Sequence, residues 1–245
     1  MEEKILLRKG EKGNVLFLIL IAVALFAALS YAVTQSTRSG GGSAEREQSI
    51  LSGAAMTQHP TALRTSVIRM ILSGVDVAEL EFNPPADFTN LTSNGQGVFH
   101  SEGGAAVFQL APADLMANGE QGTWFYNGLF DVPSVGGSGD GGNDLIAFLP
   151  GISLGVCRQI VTEFALDLTD CTETSSGIPD LDTTVTEANF SINQDDDPLS
   201  AFPTGNQEDL QGAGASCEVF TAQPSGCFND TVNSQFVFYS VLLER

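Results

Sequence analysis

Apolar and polar positions divide this chain into three textures. Over 13–33 (GNVLFLILIAVALFAALSYAV) the side chains are almost uniformly apolar, and no Asp, Glu, Lys or Arg occurs between Lys12 and Arg38. About 20 helical residues span the roughly 30 Å hydrocarbon core of a bilayer, so the pattern predicts a membrane-crossing helix over 14–33. Ahead of it, MEEKILLRKGEKG (1–13) is too polar and too mixed in charge for a core element and reads as a leader peptide. Behind it, TQSTRSGGGS (34–43) reads as a flexible, glycine-rich joint.

The second texture begins at Ala44. Ile50, Leu51, Ala54 and Ala55 share one side of a helix that Leu63, Val67, Ile68, Ile71, Leu72 and Val75 continue, at spacings of three and four. Pro60 removes a backbone donor and crowds the preceding turn, so it is expected to kink this helix or to begin a second one. Gly74 and then Asn83-Pro84-Pro85 close the helical region.

Beyond that point short apolar runs are divided by Gly, Asn, Asp and Pro, the texture of strands and turns. Strands are expected near 97–99, 105–110, 123–126 and 145–149, with VGGSGDGGND (135–144) as an exposed loop. A helix is expected from Ser153, its N-cap, to Leu168, with Cys157, Ile160, Val161, Phe164 and Leu168 on one face. The stretch 172–214 is acidic, turn-rich and aperiodic, and reads as an irregular lobe. QFVFYSVLL (235–243) is the clearest strand pattern, aromatic and β-branched. An amphipathic helix needs a sheet face to cover. The expected fold class is therefore α+β: an N-terminal transmembrane helix, then an outer globular domain (44–245) with a helix packed on a mainly antiparallel sheet and irregular loops.

Charge sharpens this picture. The formal net charge is -20, and five of the 30 acidic side chains precede Ile71, so 25 follow it against Arg158 and Arg245 alone. Phosphate recognition needs clustered Lys and Arg, which makes nucleic acid and anionic lipid surfaces poor partners for this outer part, and no nucleic acid is expected. Lys4, Arg8, Lys9 and Lys12 flank the apolar run on its N-terminal side, and positive charge beside a span favours the cytoplasm. Everything after Arg38 is then outside.

Cys157, Cys171, Cys217 and Cys227 all fall on that outer side, where an even count favours disulfides over metal or redox chemistry, and no C-x-x-C pair is present. Of the three possible pairings, Cys217 with Cys227 fits best, since nine residues separate them and Gln223-Pro224-Ser225-Gly226 is turn material just before Cys227. Cys157 with Cys171 is the complementary pair, but needs the helix to end before Leu168.

Other motifs reduce to structural readings. Gly151-Ile152-Ser153-Leu154-Gly155 matches the nucleophile elbow G-x-S-x-G between a strand and a helix, but His59 and His100 both precede Ser153, whereas that fold places its histidine after the serine. Ser153 is read as a helix cap and no catalytic residue is assigned. The acidic stretches 139–144 and 195–197 lack EF-hand spacing and are read as solvated turns, so no metal and no cofactor is expected. Asn90, Asn189 and Asn229 each begin an N-x-[ST] sequon.

The junction at Gly13 carries the strongest functional signal. A basic leader ending in Lys12-Gly13, an apolar helix starting at once and a polar domain downstream resemble the class III signal of type IV pilins and type II secretion pseudopilins, over about residues 8–50. The resemblance implies that a prepilin peptidase cuts between Gly13 and Asn14 and methylates Asn14. It also implies that the helix is kept in the membrane and packs with those of other pilin-like subunits. The chain is then a structural subunit of the bacterial inner membrane, its outer domain in the periplasm or on the cell surface, and not an enzyme. Asn14 stands where family members have Phe or another large apolar residue, and Leu18 stands at the fifth mature position, where most have the Glu that pairs with a neighbour's N-terminal amine. The missing Glu points to a minor, tip-located subunit. Two other readings compete: an uncleaved anchor, or an acidic binding protein or adhesin secreted by cleavage after Ser30-Tyr31-Ala32.

Overall fold

The computed structural model describes residues 14–136, 143–164, 166, 168–182, 208–214 and 216–244, without the side chains of 14, 15, 33–55 and 208. Two compact units divide the chain, Met1–Gln48 and Ser49–Arg245.

In the first unit the backbone is helical from Asn14 onward, as the opening part of α1 (Asn14–Leu72). Helix persists through 34–43, where the glycine-rich sequence predicts a joint. Glycine is about 1 kcal/mol less favourable than alanine inside a helix, so Gly40, Gly41 and Gly42 are a stretch of low intrinsic propensity. Among the described residues no helix is long and apolar enough to cross a membrane. Side chains are described for 16–32 of the apolar run, about 25 Å of helix at 1.5 Å per residue.

In the second unit the last turns of α1 bury Met56, His59, Leu63, Val67 and Met70, a stripe at spacings of three and four. Ile68 and Leu72, expected on the buried side, are exposed, and Ile71 and Val75 are half-buried. Each residue turns the helix by about 100°, so the neighbour of a buried Val67 must face away. Pro60 neither ends α1 nor starts a new helix. It deprives the Met56 carbonyl of its usual donor, but Met56 and Leu63 on either side are fully buried, and tertiary packing holds the turn. After Leu72, Val75 N–H donates to the Met70 carbonyl and Gly74 N–H to that of Ile71, with Gly74 at φ +99°. That is a Schellman stop, in which glycine takes the left-handed position without steric cost.

The centre is a four-stranded antiparallel sheet in the order β1 (Phe125–Asn127), β3 (Leu145–Ile152), β6 (Gln235–Leu243) and β5 (Ser225–Asp230). A separate two-residue parallel pair joins β2 (Phe130–Asp131) to β4 (Glu208–Asp209). Side chains alternate along each strand. Leu145, Ala147 and Leu149 of β3 and Phe238 and Leu242 of β6 share one core with Met56, Leu63, Val67 and Met70 of α1. Val156, Cys157, Ile160 and Val161 of α2 (Leu154–Glu163) complete that core. Ile146 and Phe148 of β3 and Val237, Tyr239 and Val241 of β6 meet Phe130, Val132, Leu181, Leu210 and Phe220 on the other face. Both faces of β3 and β6 are thus covered, which is why these strands read as continuous apolar runs.

The α+β expectation holds, with corrections in detail. Helix α2 starts as read, the Ser153 hydroxyl accepting from Val156 N–H, but ends at Glu163 rather than Leu168. No strand forms at 97–99 or 105–110. Val98 makes bridging hydrogen bonds, its N–H to the Glu81 carbonyl and its own carbonyl to Ala106 N–H, around a tight reversal. Strand β5 was not anticipated, since 223–226 reads as turn. The actual hairpin turn is 231–234, organised by the buried Asp230 carboxylate, which accepts from the Val232 and Asn233 N–H groups and from the side chains of Asn233 and Gln235. A short polar cap of this kind is a local Asx arrangement.

The 97–106 reversal depends on Gly104, where a Cβ would overlap the Val98 carbonyl oxygen and approach Met70 Sδ to 2.9 Å. Gly104→Ala is expected to destabilise the second unit by about 2 kcal/mol, read as a lowered urea midpoint. Gly155→Ala, in open space on α2, is expected to be neutral or stabilising by about 0.5 kcal/mol. A neutral Gly104→Ala would contradict the packing argument.

Candidate functional site

The residues read as a processing junction, Gly13 and Asn14, fall at the start of the first unit. Gly13 lies outside the described residues, and Asn14 opens α1. From Leu16 to Tyr31 every large apolar side chain is exposed: Phe17, Leu18, Ile19, Leu20, Val23, Leu25, Phe26 and Leu29 each keep more than half of their surface open. Ile19, Ala22, Val23, Phe26 and Ala27 line a shallow groove of about 510 Å³. Their spacing of three and four puts them on one helix face, with small Ala22 and Ala27 beside larger neighbours. Such relief is what ridge-into-groove packing of helices uses. Leu18 lies on this helix, four residues after Asn14, and is apolar.

All four cysteines are bonded, but not in the expected pairs. Cys157 of α2 joins Cys227 of β5, with Cα atoms 5.5 Å apart, and Cys171 joins Cys217, with Cα atoms 4.6 Å apart. The Cys217–Cys227 pair fails because the chain between them does not form a hairpin: β5 begins at Ser225 and runs on to Asp230. Cys227 points to the helical side of the sheet, where α2 lies, and Cys217 belongs to the opposite core. The early end of α2 meets the condition for Cys157 with Cys171, yet the sheet now separates these partners' environments.

A buried histidine–tyrosine pair lies in the core of the second unit. His59 Nε2 is hydrogen-bonded to the Tyr126 hydroxyl at 3.1 Å, and its ring lies 5.2 Å from that of Trp124. Tyr126 in turn stacks on Phe82 with centroids 4.3 Å apart. Burial disfavours the charged imidazolium and lowers the His59 pKa to about 4. Burial likewise raises the Tyr126 pKa, so its hydroxyl keeps its proton. On the far side of the sheet Asp131 and Asp209 are register partners in the β2–β4 pair. Burial, then the Asp209 charge, raises the Asp131 pKa.

The remaining candidates find local roles. Ser153 caps α2; His59 bonds Tyr126, and His100 Nδ1 accepts from Glu102 N–H. Asp144 is no solvated turn residue: it is fully buried, and its carboxylate accepts from Val132 N–H at 3.0 Å. Residues 137–142 and 195–197 lie outside the described residues, as does Asn189, and among the described residues no group of three His, Cys, Asp or Glu side chains is placed to hold a metal ion. Asn90 is exposed, whereas the Asn229 amide donates to Asp180 at 2.6 Å. Sequence reasoning missed the His59–Tyr126 contact, although His59 lies on the same helical stripe as Met56 and Leu63. Comparison with protein-family models, with characterised proteins and with solved structures finds no match for this chain.

The His59 geometry has a pH consequence. Its folded pKa lies below the unfolded value of 6.5, so the unfolded chain binds the proton first and stability is lost as pH falls from about 6.5 to about 4. The slope is at most about 1.4 kcal/mol per pH unit, for a total on the order of 3 kcal/mol. Urea unfolding of wild type between pH 7 and 4.5 is expected to show this slope and His59→Gln to flatten it, with the slope as the readout and not absolute stability. Parallel slopes would remove His59 from the account.

Proposed function

We propose that this protein is a membrane-anchored, pilin-like or minor pseudopilin structural subunit, processed by a prepilin peptidase between Gly13 and Asn14. The observation that carries the reading is the helix beginning at Asn14, whose described apolar side chains from Leu16 to Tyr31 are exposed. Burying such a surface is worth about 25 cal/mol per Å² of apolar area, so a chain leaves it open only where lipid or another helix covers it. The full apolar run, about 20 residues, matches a bilayer core. The basic leader sets its direction, and the outer domain, acidic and carrying two disulfides, suits an oxidising compartment. Leu18 favours a minor subunit over a major one. A charged residue at that depth needs a partner, and without it the charge-pairing step between neighbouring helices is absent.

N-terminal sequencing and intact-mass measurement of the native protein test the reading. The expected chain starts at a methylated Asn14, and Gly13→Ala is expected to abolish processing. A start at Val33 would make it a secreted acidic protein, and an intact leader a plain anchor; either result overturns the proposal.

A further inference from the structure

The two disulfides sit in different surroundings. Cys157 and Cys227 are both fully buried in the core between α2 and the sheet. Cys171 is half-buried, and the bond it makes to Cys217 lies between two surface cavities, one of about 270 Å³ lined by Cys171 and one of about 340 Å³ lined by Cys217. Cys217 itself is buried, with the Gly212 backbone packed directly against its Sγ. Of the two residues Cys171 is the more exposed, so approach is easier on its side even though a cavity also reaches Cys217. Charged side chains lining the cavities are Asp170 and Glu218 beside Cys171, and Asp209 and Glu218 beside Cys217, all acidic. The loop that this disulfide closes, 172–216, has nine acidic residues and no Lys or Arg.

We infer that Cys171–Cys217 is a redox-labile bond, opened by a dithiol reductant with a neutral or cationic face attacking at Cys171, while Cys157–Cys227 is a permanent structural crosslink. A reductant thiolate forms a bond to Cys171 Sγ. The S–S bond breaks, and its electron pair leaves with Cys217 Sγ, which takes a proton. The reductant's second thiolate then attacks its own sulfur in the mixed disulfide, releasing Cys171 as a thiolate that is protonated in turn. The protein gains two electrons and two protons, and the reductant leaves as a disulfide. Acidic side chains at the entrance repel an anionic thiol and favour a cationic one. The Thr172 to Ala213 and Ala213 to Asp180 backbone hydrogen bonds keep the ends of the loop near each other.

Partial reduction of the full chain, quenched with iodoacetamide and followed by peptide mapping, tests this. Cys171 and Cys217 are expected to be labelled at least about tenfold faster than Cys157 and Cys227, whose exposure requires opening of the core. With each thiol's rate normalised to its rate on a neutral disulfide, cysteamine is expected to outpace 2-mercaptoethanol, and 2-mercaptoethanol to outpace 3-mercaptopropionate, with the spread narrowing as salt is raised. Trapped mixed disulfides are expected on Cys171. Simultaneous opening of both bonds, earlier opening of Cys157–Cys227, equal normalised rates or adducts on Cys217 would each overturn the inference.

Discussion

Strands β3 and β6 bury both of their faces, and this sets what the rest of the second unit must do. A sheet with one wet face needs one cover, whereas this one needs two. The end of α1 and all of α2 supply the first cover. The second is made of loops, with Phe130, Val132, Leu181, Leu210 and Phe220 resting on Ile146, Phe148, Val237, Tyr239 and Val241. Loops used as a core layer must satisfy their own backbone groups. They do so in short borrowed pairings: Leu210 N–H to the Asp131 carbonyl, Leu181 N–H to that of Asn229, and Ala222 N–H to that of Pro133. Asp230 performs the same task for the hairpin turn with side-chain oxygens.

Each disulfide fastens one of the two covers. Cys157–Cys227 ties α2 to β5 on the helical side, and Cys171–Cys217 closes the irregular layer on the other. With sequence separations of 70 and 46, closing either loop restricts the unfolded chain by on the order of 4 kcal/mol on the chain-entropy account. That contribution matters most on the loop side, where few long elements pack. The Arg64–Glu244 ion pair, at 2.8 Å and substantially exposed, adds little by comparison.

The first unit follows a different rule. Its side chains from Leu16 to Leu29 are apolar on all sides of the helix, so no single face is offered to a core. Small Ala22 and Ala27 lie beside the larger Ile19, Val23 and Phe26 along one shallow groove, which gives this helix surface relief. The apolar run is contiguous in sequence, which is why the helix that opens at Asn14 was legible without coordinates.

Features written in consecutive residues were read from the sequence: the apolar helix, the Ser153 cap, the core strands at 145–149 and 235–243, and the α+β class. Period and composition act locally, and each of these elements obeys them over its own length. Tertiary structure decided what depended on residues far apart. Val67 rather than Ile68 faces the sheet because α1 rotates to seat Met56, Leu63 and Met70 together. Pro60 stays inside the helix because packing on both sides outweighs its missing hydrogen bond. Cys227 meets Cys157, and Cys217 meets Cys171, because the sheet separates two cores and alternation along β5 assigns Cys227 to the helical one. Spacing along the chain measures how far apart cysteines can be, but only the sheet determines which side of it each one occupies.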